Sequence, residues 1–413
     1  MVIKKSNSPH LAKEHRFDIR IFILLGISVL LYIQTLSFGF THFDDDLIIE
    51  QNIAYLSDVH HVLDAFTTDQ FIVKTSSFYR PLGTVSYIGD VLIGEKNYTA
   101  ILHLTNMLLF CLIVITLYIF LKKLTLNHSS SFFASLIYAV HPVLVPSVAH
   151  LANRAELLLV LFSLLAFIFL IDYLKNQKIK FLLLHLLAFM FALFSKETAV
   201  VLPMLFLLYV LLFDSQKKRY VSLFYVMIFY AAIGFLWFYW RSIALNGTPN
   251  LNETFGISAF LINLRIIPES MIAFLFPVSL APIPSFSDVK LIFGIIILLS
   301  IFVWVLKKSS IDRKKVIFAT AWFLLLLVPS MLYKHPHFDY LYHRFSLPFI
   351  GLILLFIHLL PQNVFNGNKK INSILFSSLT MVLFILSFAN VRMYSNPMTF
   401  YNAAIEKNKF CGM

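Results

Sequence analysis

The sequence predicts an all-α protein that crosses the membrane about eleven times, and three observations carry that prediction. Apolar residues make up 59% of the 413 positions and charged residues 13%, a balance outside that of ordinary globular domains. The apolar residues gather in runs of roughly 17–22, the length that crosses a hydrocarbon core about 30 Å thick. Lysines and arginines then collect on alternate loops, as orientation in a membrane requires.

The first run, 21–39, follows a long leader holding Lys4, Lys5, Lys13, Arg16 and Arg20, and its full length reads as a signal anchor. Runs at 101–121, 130–147, 153–172, 181–195, 198–213 and 220–240 come next. With the N-terminus in the cytoplasm, their inward loops hold Lys122 and Lys123, then Lys175, Lys178 and Lys180, then Lys217, Lys218 and Arg219. Arg241 closes an outgoing helix, whereas Lys307 and Lys308 close an ingoing one, so the chain between them begins and ends outside. Within it, 259–280 carries Arg265, Pro268 and Glu269, which predicts an interfacial or re-entrant helix. Runs at 289–306, 316–333, 345–360 and 371–390 complete the set, with Arg313, Lys314, Lys315, Lys369 and Lys370 inward and the C-terminus outside.

The inward segments thus take 20 of the 33 cations and only five carboxylates. The net charge of +12 is therefore a topology signal and argues for no nucleic-acid partner. Cys111 sits mid-helix, Cys411 lies at the tail, and there is no CxxC, so no disulfide framework is expected. No repeat or low-complexity linker divides the chain. The expected organisation is a cytoplasmic segment 1–20, a transmembrane domain 21–390 with a first outer loop at 40–100, and a short extracytoplasmic tail 391–413.

The remaining polar residues form dense knots at helix ends, and the orientation set by unrelated lysines puts every knot outside. They are THFDDD (41–46), FYRPLGTVSYIGD (78–90), HLTN (103–106), HPVLVPSVAHLANRAE (141–156), SKE (195–197) and YKHPHFDYLYHR (333–344). Each alone has an ordinary reading. His103 and Asn106 have the spacing of helix–helix hydrogen bonding, His141-Pro142 suits a helix end, and three aspartates suit a solvated N-cap. Their common face is what points to a site, because ionisable groups at the membrane edge are costly. A carboxylate there can serve as general base toward a hydroxyl, and adjacent carboxylates raise the pKa of one member. Arg80, Arg154, Lys196 and Arg344 are cations able to hold a phosphate. Base, phosphate clamp and lipid-facing groove together describe transfer of a sugar from a polyprenyl phosphate.

The order of these motifs resembles the integral-membrane C-type glycosyltransferases, and within them the TMTC-like protein O-mannosyltransferases. Phe43-Asp44-Asp45, Ser77-Phe78-Tyr79-Arg80-Pro81-Leu82, His103-Leu104-Thr105-Asn106, His141-Pro142-Val143, Arg154-Ala155-Glu156 and Lys196-Glu197 carry the resemblance, with Asp339-Tyr340-Leu341-Tyr342 and then His343-Arg344 a looser match. Leu144, Val145 and Pro146 depart from the family's H-T-E, and the TPR repeats are missing. The resemblance implies an inverting transferase with Asp44 as base and Asp45 as its partner. The implied substrate and phosphate contacts are Tyr79, Arg80, His103, Asn106, His141, Arg154, Glu156, Lys196, Glu197, Tyr342 and Arg344. It implies a lipid-phosphate donor, a protein or glycan acceptor, and no metal, although adjacent aspartates also resemble a hard-cation site. The rival class is a transporter or flippase of lipid-linked sugars, which would place ionisable groups at mid-membrane on broken, repeated helices. The Phe-, Ile- and Lys-rich usage suggests a bacterial inner membrane.

Overall fold

The computed structural model describes residues 18–72, 77–124, 127–214, 220–245, 256–308, 311–333, 340–360 and 369–407. Among them every predicted membrane run is helical and no extended strand occurs. His335 and Asp339 of the last outer knot, the inward Lys217–Arg219 cluster and the N-terminal leader lie outside the described residues.

Helix α1 (Ile19–Tyr32) starts where the Asp18 side chain accepts from Arg20 N at 3.2 Å, filling one of the orphan donors of a helix start. After the first outer loop, α2 (Pro81–Gly94) opens on a proline at its first position, where the missing N–H costs nothing. Glu95, at φ +46, then turns the chain into α3 (Tyr98–Lys123), along which α2 packs. Helix α4 (His128–Val140) is capped by Asn127, whose Oδ1 accepts from Ser130 N at 2.7 Å. It breaks at His141-Pro142, and the following segment continues at a 54° bend.

Helices α5 (Arg154–Asn176) and α6 (Ile179–Ser195) pack side by side, and α5 also lies against α3. Helices α7 (Leu202–Phe213) and α8 (Tyr220–Ala244) follow. The expected interfacial segment is two helices, α9 (Ile257–Asn263) and α10 (Ile266–Leu275), interrupted at Leu264-Arg265. Helix α10 runs against α11 (Asp288–Lys307) at Gly294, where an added Cβ would meet the Pro268 carbonyl at 2.1 Å. Helices α12 (Arg313–Met331) and α13 (Pro348–Leu359) approach equally closely at Gly351, and Trp322 Nε1 donates to Leu347 O at 2.9 Å. Helix α14 (Lys369–Val391) packs on α4.

Among the described residues, 8 helices are long and apolar enough to cross a membrane, or 9 with the bent pair, and three more apolar helices are shorter. Residues 257–275 pass that length and composition test too. The final segment is a fold element as well as a tail: α15 (Pro397–Lys407) folds back, burying Phe400 and Ala404.

Candidate active site

The first outer loop makes a tight turn around a buried carboxylate. Asp45 accepts from Thr41 N at 2.8 Å, Thr41 Oγ1 at 3.0 Å and Phe43 N at 3.2 Å, and it is fully buried. Both its oxygens are therefore occupied by the chain's own donors. Inside the loop it closes, His42 and Asp44 take φ of +56° and +70°. A residue with a Cβ is held there at a cost of about 1–3 kcal/mol only when its surroundings enforce it. Asp44 is half-buried, and among the described residues no hydrogen bond or ion pair meets its carboxylate. Burial raises its pKa above the ordinary 3.8, Asp45 and Asp46 add to the rise, and His150 and Arg80 oppose it.

A group of four charges, Lys196 and Glu156 buried and Arg80 and Glu197 half-buried, lies beside it. Arg80, at the mouth of α2, grips Glu197 through Nε at 3.1 Å and a terminal nitrogen at 2.6 Å, and its guanidinium covers the Phe78 ring at 4.6 Å. Lys196 donates to Glu156, both almost wholly buried. The sequence at 195–197 breaks the helix so that Lys196 and Glu197 project from the seam between α6 and α7.

Arg344 behaves differently. Its guanidinium stands 5.9 Å from the Tyr333 ring and 5.6 Å from the Tyr340 ring, and no carboxylate pairs with it among the described residues. Tyr333 lies in the field of both Arg344 and Asp44. His343 next door is held well below its ordinary 6.5 by burial, and by Lys196, Arg344, His150 and Arg80 around it. Asp44, Arg80, Lys196, Glu156, Glu197 and Arg344 therefore converge from five separate stretches of sequence.

Of the other predicted residues, Arg154, Asn106, His141 and Tyr79 are engaged in hydrogen bonds that hold the fold together, whereas the ring nitrogens of buried His103 have no hydrogen-bond partner among the described residues. Arg154 is fully buried: it donates to Asn106 Oδ1 at 2.8 Å, Leu102 O at 2.7 Å, Ser86 Oγ at 3.4 Å and the Asp90 carboxylate, with its guanidinium 4.5 Å from the Tyr87 ring. Asn106 in turn donates to Val148 O at 3.2 Å. His141 Nε2 donates to Phe274 O at 3.0 Å while Nδ1 accepts from Val143 N at 3.3 Å, which ties the α4 break to α10. Tyr79 OH donates to Phe66 O at 2.9 Å. His103 is buried edge-on to Phe38 at 6.1 Å. Tyr342 faces a separate cleft with Glu269 and Lys290.

Sequence reasoning singled out neither His150 nor Asp90 nor Tyr333. His150 meets the Asp44 turn across 107 positions (Nε2 to Phe43 O, 2.7 Å), a separation with no local signal. As for a metal, among the described residues no group of three or more His, Cys, Asp or Glu is placed to hold one. Asp45, the natural partner of Asp44 in such a site, already accepts three hydrogen bonds from Thr41 and Phe43.

The chain is similar to several known membrane proteins. The family described as dolichyl-phosphate-mannose-protein mannosyltransferase matches residues 89–240. A Caenorhabditis elegans protein O-mannosyl-transferase is 31% identical over 227 residues, covering 52% of this chain. Human protein O-mannosyl-transferase TMTC3 is 31% identical over 151 residues, covering 35%. The chain spans 31% of the worm protein's length and 16% of the human one's. An Archaeoglobus fulgidus oligosaccharyltransferase, solved with a tethered acceptor peptide containing the NVT sequon, superposes with a TM-score of 0.53 at 12% identity, over 92% of this chain and 55% of that one. The chain is similar to these mannosyltransferases over part of its length and has a fold like that of the oligosaccharyltransferase. The family match includes Asn106, Arg154, Glu156, Lys196 and Glu197 but begins beyond Asp44 and Arg80.

Proposed function

We propose that the protein is a membrane glycosyltransferase that moves a sugar from a polyprenyl-phosphate donor to a hydroxyl acceptor on the extracytoplasmic face, with inversion. The observation that carries this reading is Asp44, a half-buried carboxylate held in a strained turn with no hydrogen bond or ion pair among the described residues, in the field of Arg80 and beside Tyr333, which Arg344 also faces. The acceptor oxygen attacks the anomeric carbon as Asp44 takes its proton. The bond from that carbon to the phosphate oxygen breaks on the opposite face, and the lipid phosphate leaves with the electron pair. Negative charge grows on that phosphate, so a cation in place beforehand favours the transition state over the ground state. Arg344, without a carboxylate partner among the described residues, is the direct clamp, and Arg80 and Lys196 add their field from within their ion pairs. The names of the relatives favour mannose as the sugar and protein Ser or Thr as the acceptor, with an envelope glycan as the alternative acceptor.

The test uses purified protein in lipid with polyprenyl-phosphate mannose and acceptor peptides. Sugar transfer with inverted configuration, lost in Asp44→Asn, is expected. Movement of intact donor across vesicles without cleavage would instead make the protein a transporter. The orientation is checked by reporters fused near Lys218 and Lys314, which should read cytoplasmic, and at Met413, which should read periplasmic or lumenal.

A further inference from the structure

Two residues with positive φ, His42 and Asp44, stand in one three-residue turn, and three separate parts of the chain grip that turn. His150, 3% exposed, places Nε2 at 2.7 Å from Phe43 O. A carbonyl accepts only, so Nε2 carries the proton, and Nδ1 is left to accept from Asn153 Nδ2 at 3.0 Å. Asn153 is itself fixed by donating to Pro146 O at 3.0 Å. The C-terminal helix supplies the second grip: Tyr401 OH donates to His42 O at 2.8 Å, and Gly39 N donates to Ser395 O at 3.0 Å just before that helix. Phe400 is buried against Phe43 at 5.3 Å and against the His150 ring at 6.1 Å. Asp45, the third, closes the turn from within through Thr41 N and Phe43 N.

We infer that His150 is a positioning residue for Asp44, acting through the Phe43 carbonyl and backed by Asn153 and the C-terminal helix. The inference rests on the reading of Asp44 as the base. The carbonyl that His150 holds belongs to the peptide joining Phe43 to Asp44, so its rotation sets the φ of Asp44 directly. Released from that bond, the peptide relaxes toward negative φ and the carboxylate swings away from the acceptor. Displacement of a reacting group by about 1 Å costs on the order of 10²-fold in rate. His150 touches no substrate in this account. Its loss therefore lowers kcat and leaves the donor KM nearly unchanged, since the clamp cations stay in place.

The experiment compares wild type, Asp44→Asn, His150→Phe, His150→Gln and Tyr401→Phe in the same lipid-donor assay. His150→Phe keeps the ring and its aromatic neighbours but has no donor, and kcat should fall roughly 10²-fold at nearly constant KM. His150→Gln puts an amide N–H near the Nε2 position and should recover most of that loss. Tyr401→Phe should lower kcat by only a few-fold, because the exposed grip on His42 is one of several. Wild-type kcat in His150→Phe overturns the inference, and so does an equal loss in His150→Phe and His150→Gln, which would make the role one of packing. An unimpaired Asp44→Asn sinks the catalytic reading instead, so the two failures are told apart.

Discussion

Arg154 and Arg344 stand in the same molecule with aromatic rings beside them, yet one is spent and the other is free. Arg154 is fully buried and donates to four different residues, one of them the Asp90 carboxylate. Arg344 lies between two tyrosine rings with no carboxylate partner among the described residues. Charge in a low-dielectric interior is costly unless every donor is answered. A satisfied arginine thus ties helices together, whereas an unsatisfied one retains its capacity to bind an anion. The same contrast separates the neighbouring aspartates: Asp45 is consumed by backbone donors and Asp44 by none. Partner satisfaction thus separates Arg344 from Arg154 and Asp44 from Asp45, whereas Arg80 and Lys196 lie in the site within ion pairs of their own.

The strongest way to break this comparison is to remove the basicity of Asp44. Asp44→Asn should lower turnover by roughly 10²–10⁴ with protein level and donor binding retained. The sign of the stability effect can also be worked out. The carboxyl's folded pKa is raised above its ordinary 3.8, so its contribution to stability is present below that value and is lost as pH rises through the raised one. At neutral pH the ionised Asp44 therefore destabilises the fold, and Asp44→Asn should unfold no earlier than wild type. By the same shift, the acid limb of the turnover profile should lie above the usual aspartate range. Lower thermal stability in Asp44→Asn would place Asp44 with the scaffold.

Arg154→Ala should do the reverse. It leaves Asp90 buried without its cation and frees Asn106 Oδ1 and Leu102 O, at a cost of about 3–5 kcal/mol. Expression and thermal stability should fall steeply, and any folded remainder should show near-normal turnover per molecule. A stable Arg154→Ala protein that transfers no sugar would return Arg154 to the site.

Arg344→Gln should sit between the two, with turnover down roughly 10²-fold, donor affinity less affected, and stability near wild type. Arg344→Lys should restore only part of that, because an ammonium cannot reproduce the planar fork. Normal transfer in both would move the clamp to Arg80 and Lys196.

These contrasts mark what was legible in the sequence. Helix positions were, since apolar run length and loop lysines are local properties: the run read at 289–306 is helical over Asp288–Lys307. The sequence also pointed to Asp44, Arg80, Lys196 and Arg344 as one group, and the structure places these charges near one another. Which charges pair was not. Glu197 meets Arg80 across 117 positions and Asp90 meets Arg154 across 64, and no spacing rule spans such gaps. The segment after 391 looked like a tail because its sequence is barely apolar, yet Phe400 against Phe43, Tyr401 on His42 O and Ser395 O on Gly39 N anchor it. The left-handed turn at Asp44 was hidden too, since Asp-Asp-Asp carries no glycine to announce it.

The weakest expected effect sharpens the rule from the other side. Arg265 holds two carboxylates: Glu269 at 3.2 Å, with an 11% exposed side chain, and Asp288 at 2.8 Å, with an 85% exposed one. Asp288 is paired at good distance, so a count of ion pairs would rank it beside Asp90. Water, however, solvates its carboxylate almost as well without the partner, and ordering two exposed side chains offsets part of the attraction. Asp288→Asn should therefore change unfolding free energy by less than about 1 kcal/mol and leave turnover unaltered, since this pair lies apart from Asp44. Thermal melts and transfer rates of Asp288→Asn beside Arg154→Ala measure that difference directly. A loss in Asp288→Asn comparable to that of Arg154→Ala would mean that pairing alone, irrespective of solvent, decides which charges this fold depends on.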